Sequence, residues 1–179
     1  RVLLESGIAS GREPTQVVEI QSFVGQFLQE TNTTLGTENE TGFPMRLLHF
    51  RRTFVEKLFA IHKKVELFKR DGAPLGGHAR HYYDLYQLAS QDEVQTMLHS
   101  HEYGEIKNDY DRISRRYFPA HYFSPQGMRF ANSDAIFPTA VLIPVLQAAY
   151  EQQCAMLCYR EYPEWQTVQD RFATLRDYL

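Results

Sequence analysis

Arg52-Thr53-Phe54-Val55-Glu56-Lys57-Leu58-Phe59-Ala60-Ile61-His62 is followed, after a glycine-containing break, by Arg80-His81-Tyr82-Tyr83-Asp84-Leu85-Tyr86-Gln87-Leu88. The first segment decides the fold class. Phe54, Leu58, Ile61, Val65 and Phe68 recur at spacings of four, three, four and three, which is one stripe of an α-helix. Thr53, with Glu56 three residues on, has the form of a capping box and sets the expected helix start. Residues 71–77 break the pattern. A second helix follows, with Tyr82, Leu85 and Leu88 or Ala89 inward. Ser90 and Glu93 repeat the capping-box spacing and open a third helix through Val94, Met97 and Leu98. Another helical stretch covers residues 103–117.

Outward from this centre the pattern changes. Residues 119–138 are irregular, with turn residues Pro125, Gly127 and Asn132. An apolar helix is expected over residues 139–159, with Pro144 marking its start. Residues 165–179 form a closing amphipathic helix. Upstream, residues 1–9 have the pattern of a short buried strand. Val17, Val18 and Ile20 suggest extended chain, and residues 23–28 turn helical. Residues 31–42 are rich in Thr, Asn, Glu and Gly and form a loop expected to be mobile. Met45, Leu47 and His49 suggest another strand. The expected fold is therefore α+β and mostly helical. A strand-containing part over residues 1–51 leads into a helical domain over residues 52–179.

Composition sets limits. A chain of 179 residues can bury a substantial core. A net charge of −3 gives no global basic field of the kind that marks many nucleic-acid binders. The 11 Tyr and 12 Phe are accounted for by aromatic packing between helices. Cys154 and Cys158 lie four apart on one helix face, with no CxxC pair to complete a thiolate metal site. They are expected to be free thiols in a reducing compartment. The sequence shows no signal-peptide pattern and no apolar run long enough for a membrane span, so the expected location is the cytoplasm.

Two residues carry the chemistry. The capping box puts Lys57 in the first helical turn, where the helix dipole disfavours a cation by a few tenths of a kcal/mol. A bound anion would reverse that sign, with Lys57 and free backbone N–H groups acting together on a phosphate. The competing reading is a solvated surface lysine. Asp84 lies mid-helix, on a face with Arg80 and Gln87. It is either an exposed pair with Arg80, worth about 0.3–0.5 kcal/mol, or a functional carboxylate. In the second case it orients Lys57 or accepts a proton from an attacking hydroxyl, with Arg80 on a phosphate. Glu56 is explained by the capping box. His62 and His81 are single helical histidines, expected to be packed or solvated, and His99 and His101 lack the i,i+4 spacing of a helical metal site. Asp109 and Asp111 form a D-x-D, but the flanking Tyr110, Ile113 and Tyr117 make it a solvated helix face. Arg112, Arg115 and Arg116 make a basic cluster too short to specify a nucleic acid.

The RTFVEKL and RHYYDLYQL segments, at this separation, resemble the nucleotidyltransferase-like toxins of the AbiEii/AbiGii family. These are the toxin halves of bacterial AbiE-type (type IV) toxin–antitoxin systems, linked to abortive phage infection. Val2-Leu3-Leu4-Glu5 resembles the family strand before a Pro-containing turn. Residues 149–157, then Tyr162-Pro163-Glu164-Trp165, resemble its closing segment. The resemblance covers most of the chain.

Members resemble polymerase-β-type nucleotidyltransferases with four motifs: a Gly-Ser loop, a D-x-D metal pair, a lysine and an aspartate. The lysine matches Lys57 and the aspartate matches Asp84. The resemblance implies Mg²⁺-dependent transfer of a nucleotidyl group from an NTP to an acceptor such as RNA. Lys57 and Asp84 would be catalytic, Lys57, Arg52 and Arg80 would meet nucleotide phosphates, and an antitoxin protein would be the partner. Residues 1–51 would hold remnant strands of the catalytic core. Nothing ahead of residue 52 resembles the glycine loop or the metal pair. The expectation is thus a carboxy-terminal portion, without metal ligands of its own and inactive alone. The alternative is a non-catalytic helical module that binds an antitoxin partner or nucleic acid.

Overall fold

The computed structural model describes residues 11–36 and 40–179. The strand expected over residues 1–9 lies outside them. The chain divides into two compact units, Arg12–His49 and Phe50–Leu179, the latter together with Gly11.

In the smaller unit, β1 (Thr15–Ile20) pairs antiparallel with β2 (Phe43–Leu48), in a register that sets Thr15 opposite Leu48 and Ile20 opposite Phe43. Between them runs α1 (Phe23–Glu30). Ser22 caps it by accepting the Gly25 N–H at 2.9 Å, which satisfies one of the orphan donors of the first turn. Leu28 and Gly25 are the buried positions of α1, whereas Phe23, Val24 and Phe27 are exposed.

The larger unit is helical: α2 (Phe50–Asp71), α3 (His81–Leu88), α4 (Asp92–Leu98), α5 (His101–Tyr117), α6 (Ile143–Leu157) and α7 (Trp165–Thr174). Single 3-10 turns at Gly76–Arg80, Pro119–His121, Gln126–Met128 and Phe130–Asn132 join them. The α2 stripe is the spine of the core. Phe54, Leu58, Ile61 and Val65 are fully buried, and Phe68 packs at its edge. Each such apolar side chain contributes about 1.5–3 kcal/mol on burial. Tyr82 and Leu85 of α3, and Val94, Met97 and Leu98 of α4, join the same cluster. Tyr82 meets Trp165 of α7 edge to face at 4.9 Å, and its hydroxyl donates to the Ala135 carbonyl at 2.8 Å. The fold is α+β and mostly helical, as expected.

Several boundaries differ from the sequence reading. α2 begins at Phe50, so Thr53 lies inside the helix and is not its cap. Phe50 is partly buried against the core, and that contact carries the helix three residues further back. Glu56 instead accepts from Arg52 Nε one turn earlier, at 2.8 Å. The second capping box is also absent. Ser90 donates to the Tyr86 carbonyl, and α4 starts at Asp92 after Gln91. The closing helix stops at Thr174 rather than at residue 179. At its other end α2 stops where Gly72 takes φ +70 and returns its N–H to the Phe68 carbonyl at 2.9 Å.

Candidate functional site

Lys57 sits in the third turn of α2, seven residues after Phe50 and flanked by buried Leu58. The helix-dipole argument for a phosphate at Lys57 therefore falls, because the dipole acts on the first turn alone. What replaces it is a direct partner. Residues 72–80 turn the chain back, and α3 packs on α2 with Tyr82 and Leu85 inward. Asp84, next to Leu85, is thereby carried to the α2 edge. Its Oδ2 lies 2.6 Å from Lys57 Nζ. His81 Nδ1 lies 3.3 Å from Lys57 Nζ and 3.3 Å from the same Asp84 oxygen.

The three side chains form a closed triangle at the rim of the α2–α3 contact. Lys57 is 23 % exposed and Asp84 33 %, so the pair is open to a ligand yet only partly screened by water. Burial opposes ionisation of Asp84. Hydrogen bonds from His81 and Lys57, with the lysine charge, outweigh it and hold the carboxyl below its ordinary range. An ammonium group has three donors. Asp84 takes one, while His81 Nδ1 donates to the same carboxylate and takes none. The other two are left for ligand oxygens. Asp84 Oδ1 has no partner among the described residues, so the carboxylate keeps an acceptor facing the same space.

The other expected site residues are placed differently. Arg80 is exposed and forms no ion pair with Asp84, which takes Lys57 and His81 instead. Arg52 is 1 % exposed, and its guanidinium is spent on carboxylates. Nε donates to Glu56 at 2.8 Å, and Nη2 forms an ion pair with Asp109 at 2.7 Å, which ties α2 to α5. A Cβ at Gly11 would overlap both the Arg52 guanidinium and the Asp109 carboxylate, so a side chain there would break this network. His81 is the residue that sequence reasoning passed over. Its signal is the i,i+3 step to Asp84, visible only once Asp84 is taken as the centre.

The D-x-D carboxylates are engaged. Asp109 holds Arg52 and Arg112, and Asp111 holds Arg115 at 2.8 Å and the Tyr122 hydroxyl at 2.6 Å. Two of the three arginines of the basic cluster are thereby neutralised, and Arg116 lies over the Tyr117 ring. His62 is buried against Ser133 Oγ at 2.8 Å, and burial lowers its pKa, so it is a core histidine. Cys154 and Cys158 are free, and burial pushes the Cys154 thiol up to about 11. Among the described residues no group of three or more His, Cys, Asp or Glu could hold a metal ion. Nor is any helix among them long and apolar enough to cross a membrane.

The family model described as nucleotidyl transferase AbiEii toxin, type IV toxin–antitoxin system, matches residues 1–171. The chain belongs to this family of nucleotidyltransferase-like toxins. No curated protein and no solved structure matches it. The family carries with it a nucleotide substrate and an antitoxin partner.

Proposed function

We propose that the Lys57–His81–Asp84 triangle is the triphosphate-holding half of a nucleotidyltransferase site. It would act on an NTP and pass a nucleotidyl group to an acceptor such as RNA. The observation that carries this reading is the 2.6 Å pair between Lys57 and Asp84, which come from different helices and which the sequence resemblance aligns with the family's lysine and aspartate motifs. Lys57 meets the phosphate oxygens with the N–H groups that Asp84 leaves free and stabilises charge as it develops on them. Asp84 is assigned to orienting Lys57. Its carboxyl is held below the ordinary range, whereas a general base works best with a pKa near the working pH. Arg80, exposed beside the triangle, is the second phosphate contact. Arg52, committed to Glu56 and Asp109, supports α2 from behind.

Mg²⁺ is proposed as the metal. Among the described residues no cluster of His, Cys, Asp or Glu supplies its ligands. On this reading residues 52–179 form the domain that carries the lysine and aspartate motifs. The chain by itself transfers no nucleotide, and the protein works in the cytoplasm.

The test is calorimetric titration of the common NTPs into the chain and into Lys57→Ala, with and without Mg²⁺. Saturable binding that weakens about tenfold or more in the variant is expected. Equal, negligible binding by both would remove the nucleotide site. It would leave a non-catalytic module for an antitoxin or nucleic acid, a reading that the exposed Phe23, Val24 and Phe27 of α1 favour independently.

A further inference from the structure

We propose that Lys63, Lys64, His78 and Arg80 form a second anion subsite, contiguous with Lys57 and suited to phosphate groups. It deepens the nucleotide reading of the Lys57 site and rests on it.

The first observation is an imbalance of charge. Some basic side chains of this unit find carboxylates, as Arg51 does with Glu102 and Lys69 with Glu66 and Asp134, and others, such as Lys107, Arg116 and Arg171, lie over aromatic rings. Lys63, Lys64 and Arg80 enter no ion pair among the described residues. Asp84 is the nearby carboxylate, and Lys57 and His81 already hold it.

The second observation is continuity. Lys64 follows Lys57 by seven residues, two turns along the same face of α2. The 3-10 turn Gly76–Arg80 packs on α2 and carries His78 and Arg80. The His78 and His81 rings meet edge to face at 5.5 Å, and His81 in turn touches Lys57. His78 and His81 thus link the 3-10 turn to Lys57, and Lys64 shares the Lys57 face of α2.

The third observation is the local field. His78 is depressed to about 4, first by burial and then by the positive charges of Lys64, His81, Arg80 and Lys63. Lys63 is lowered by burial and by Lys64 beside it. Like charges kept together without a counter-charge raise the energy of the free protein, and an anion relieves it. Phosphate suits the geometry, since Arg80 can offer a fork of donors and the lysines point charges.

Two sources share this chemistry: the polyphosphate tail of the nucleotide and the backbone phosphates of a single-stranded acceptor. Tripolyphosphate and a single-stranded oligonucleotide are titrated separately into the full chain. The proteins compared are the wild type, Lys64→Gln with Arg80→Gln, Lys64→Arg with Arg80→Lys, and Lys57→Ala. The neutralised double variant is expected to bind at least one probe about tenfold more weakly, while the charge-keeping variant retains binding. Loss confined to tripolyphosphate assigns the subsite to the nucleotide tail. Loss confined to the oligonucleotide, with a log–log salt slope lower by about 0.7 per lost contact, assigns it to the acceptor. Wild-type affinity for both probes in the neutralised variant overturns the subsite, as does a wild type that binds neither. If Lys57→Ala binds NTPs normally while the double variant loses tripolyphosphate, the Lys57 reading fails and the subsite stands.

Discussion

Lys57 has three N–H bonds to place, and Asp84 fixes one of them. That leaves a preoriented cation instead of a free one, and it separates the roles of the three residues. Lys57→Ala removes the group that meets the ligand. Asp84→Asn keeps the shape but loses the charge that holds the ammonium, so it is expected to weaken NTP binding less than Lys57→Ala does. Titration of both variants against the wild type checks the order, and an Asp84→Asn that binds worse than Lys57→Ala would assign Asp84 a direct part in binding. Stability should change little, because a pair this exposed is worth about 1 kcal/mol or less. The pH dependence has a definite sign. A carboxyl held below its unfolded value adds stability that is fully present above about pH 4 and lost as pH falls through the folded value. The melting-temperature gap between wild type and Asp84→Asn should therefore be steady from about pH 5 to 7 and close under acid conditions. A gap that widened in acid would mean that Asp84 is not held ionised by Lys57 and His81.

At the scale of elements, the site depends on how α3 is held against α2. Tyr82 does much of this. It is fully buried, meets Trp165 edge to face, and satisfies the Ala135 carbonyl. Tyr82→Phe keeps the ring and strands that carbonyl, at a cost of about 1–3 kcal/mol. For a chain of this size the melting temperature should fall by several degrees, with NTP affinity little changed at temperatures where the protein is folded. A drop in affinity as large as that of Lys57→Ala, in folded protein, would mean that α3 has shifted and the triangle has opened. These helices were also the most legible part of the sequence. The α2 stripe and the inward Tyr82 and Leu85 follow from a 3.6-residue period that burial enforces. Helix starts were less legible. The Thr53–Glu56 spacing has the form of a cap, but Phe50 gains more by packing, and Arg52 takes Glu56 as an i,i+4 partner. Periodicity places Lys57 and Asp84 on helix edges without saying that the edges meet. Only the family resemblance joined them, and the i,i+3 step from His81 to Asp84 gains meaning only once Asp84 is taken as the centre.

Across the whole molecule the two units differ in how much they bury. In the larger, aromatic and aliphatic side chains from α2 through α7 form one contiguous cluster. In the smaller, the buried residues among those described are Gly25, Leu28 and His49, while Val17, Phe23, Phe27 and Phe43 stay exposed. A segment of under about 40 residues with so small a core has little stability of its own. Its hydrogen-bonded amides in β1, α1 and β2 should open at lower free energy than those of α2 and α3, where stability approaches the global value. Native-state hydrogen exchange read by mass spectrometry separates the two. Peptides from residues 15–48 are expected to exchange well before those from residues 54–65 and 82–88. If NTP binding is confined to the Lys57 triangle, saturating nucleotide should slow exchange in α2 and α3 by the binding free energy and leave the smaller unit unchanged. Equal protection across both units, before and after ligand, would overturn this separation and would mean that the molecule opens as one cooperative body.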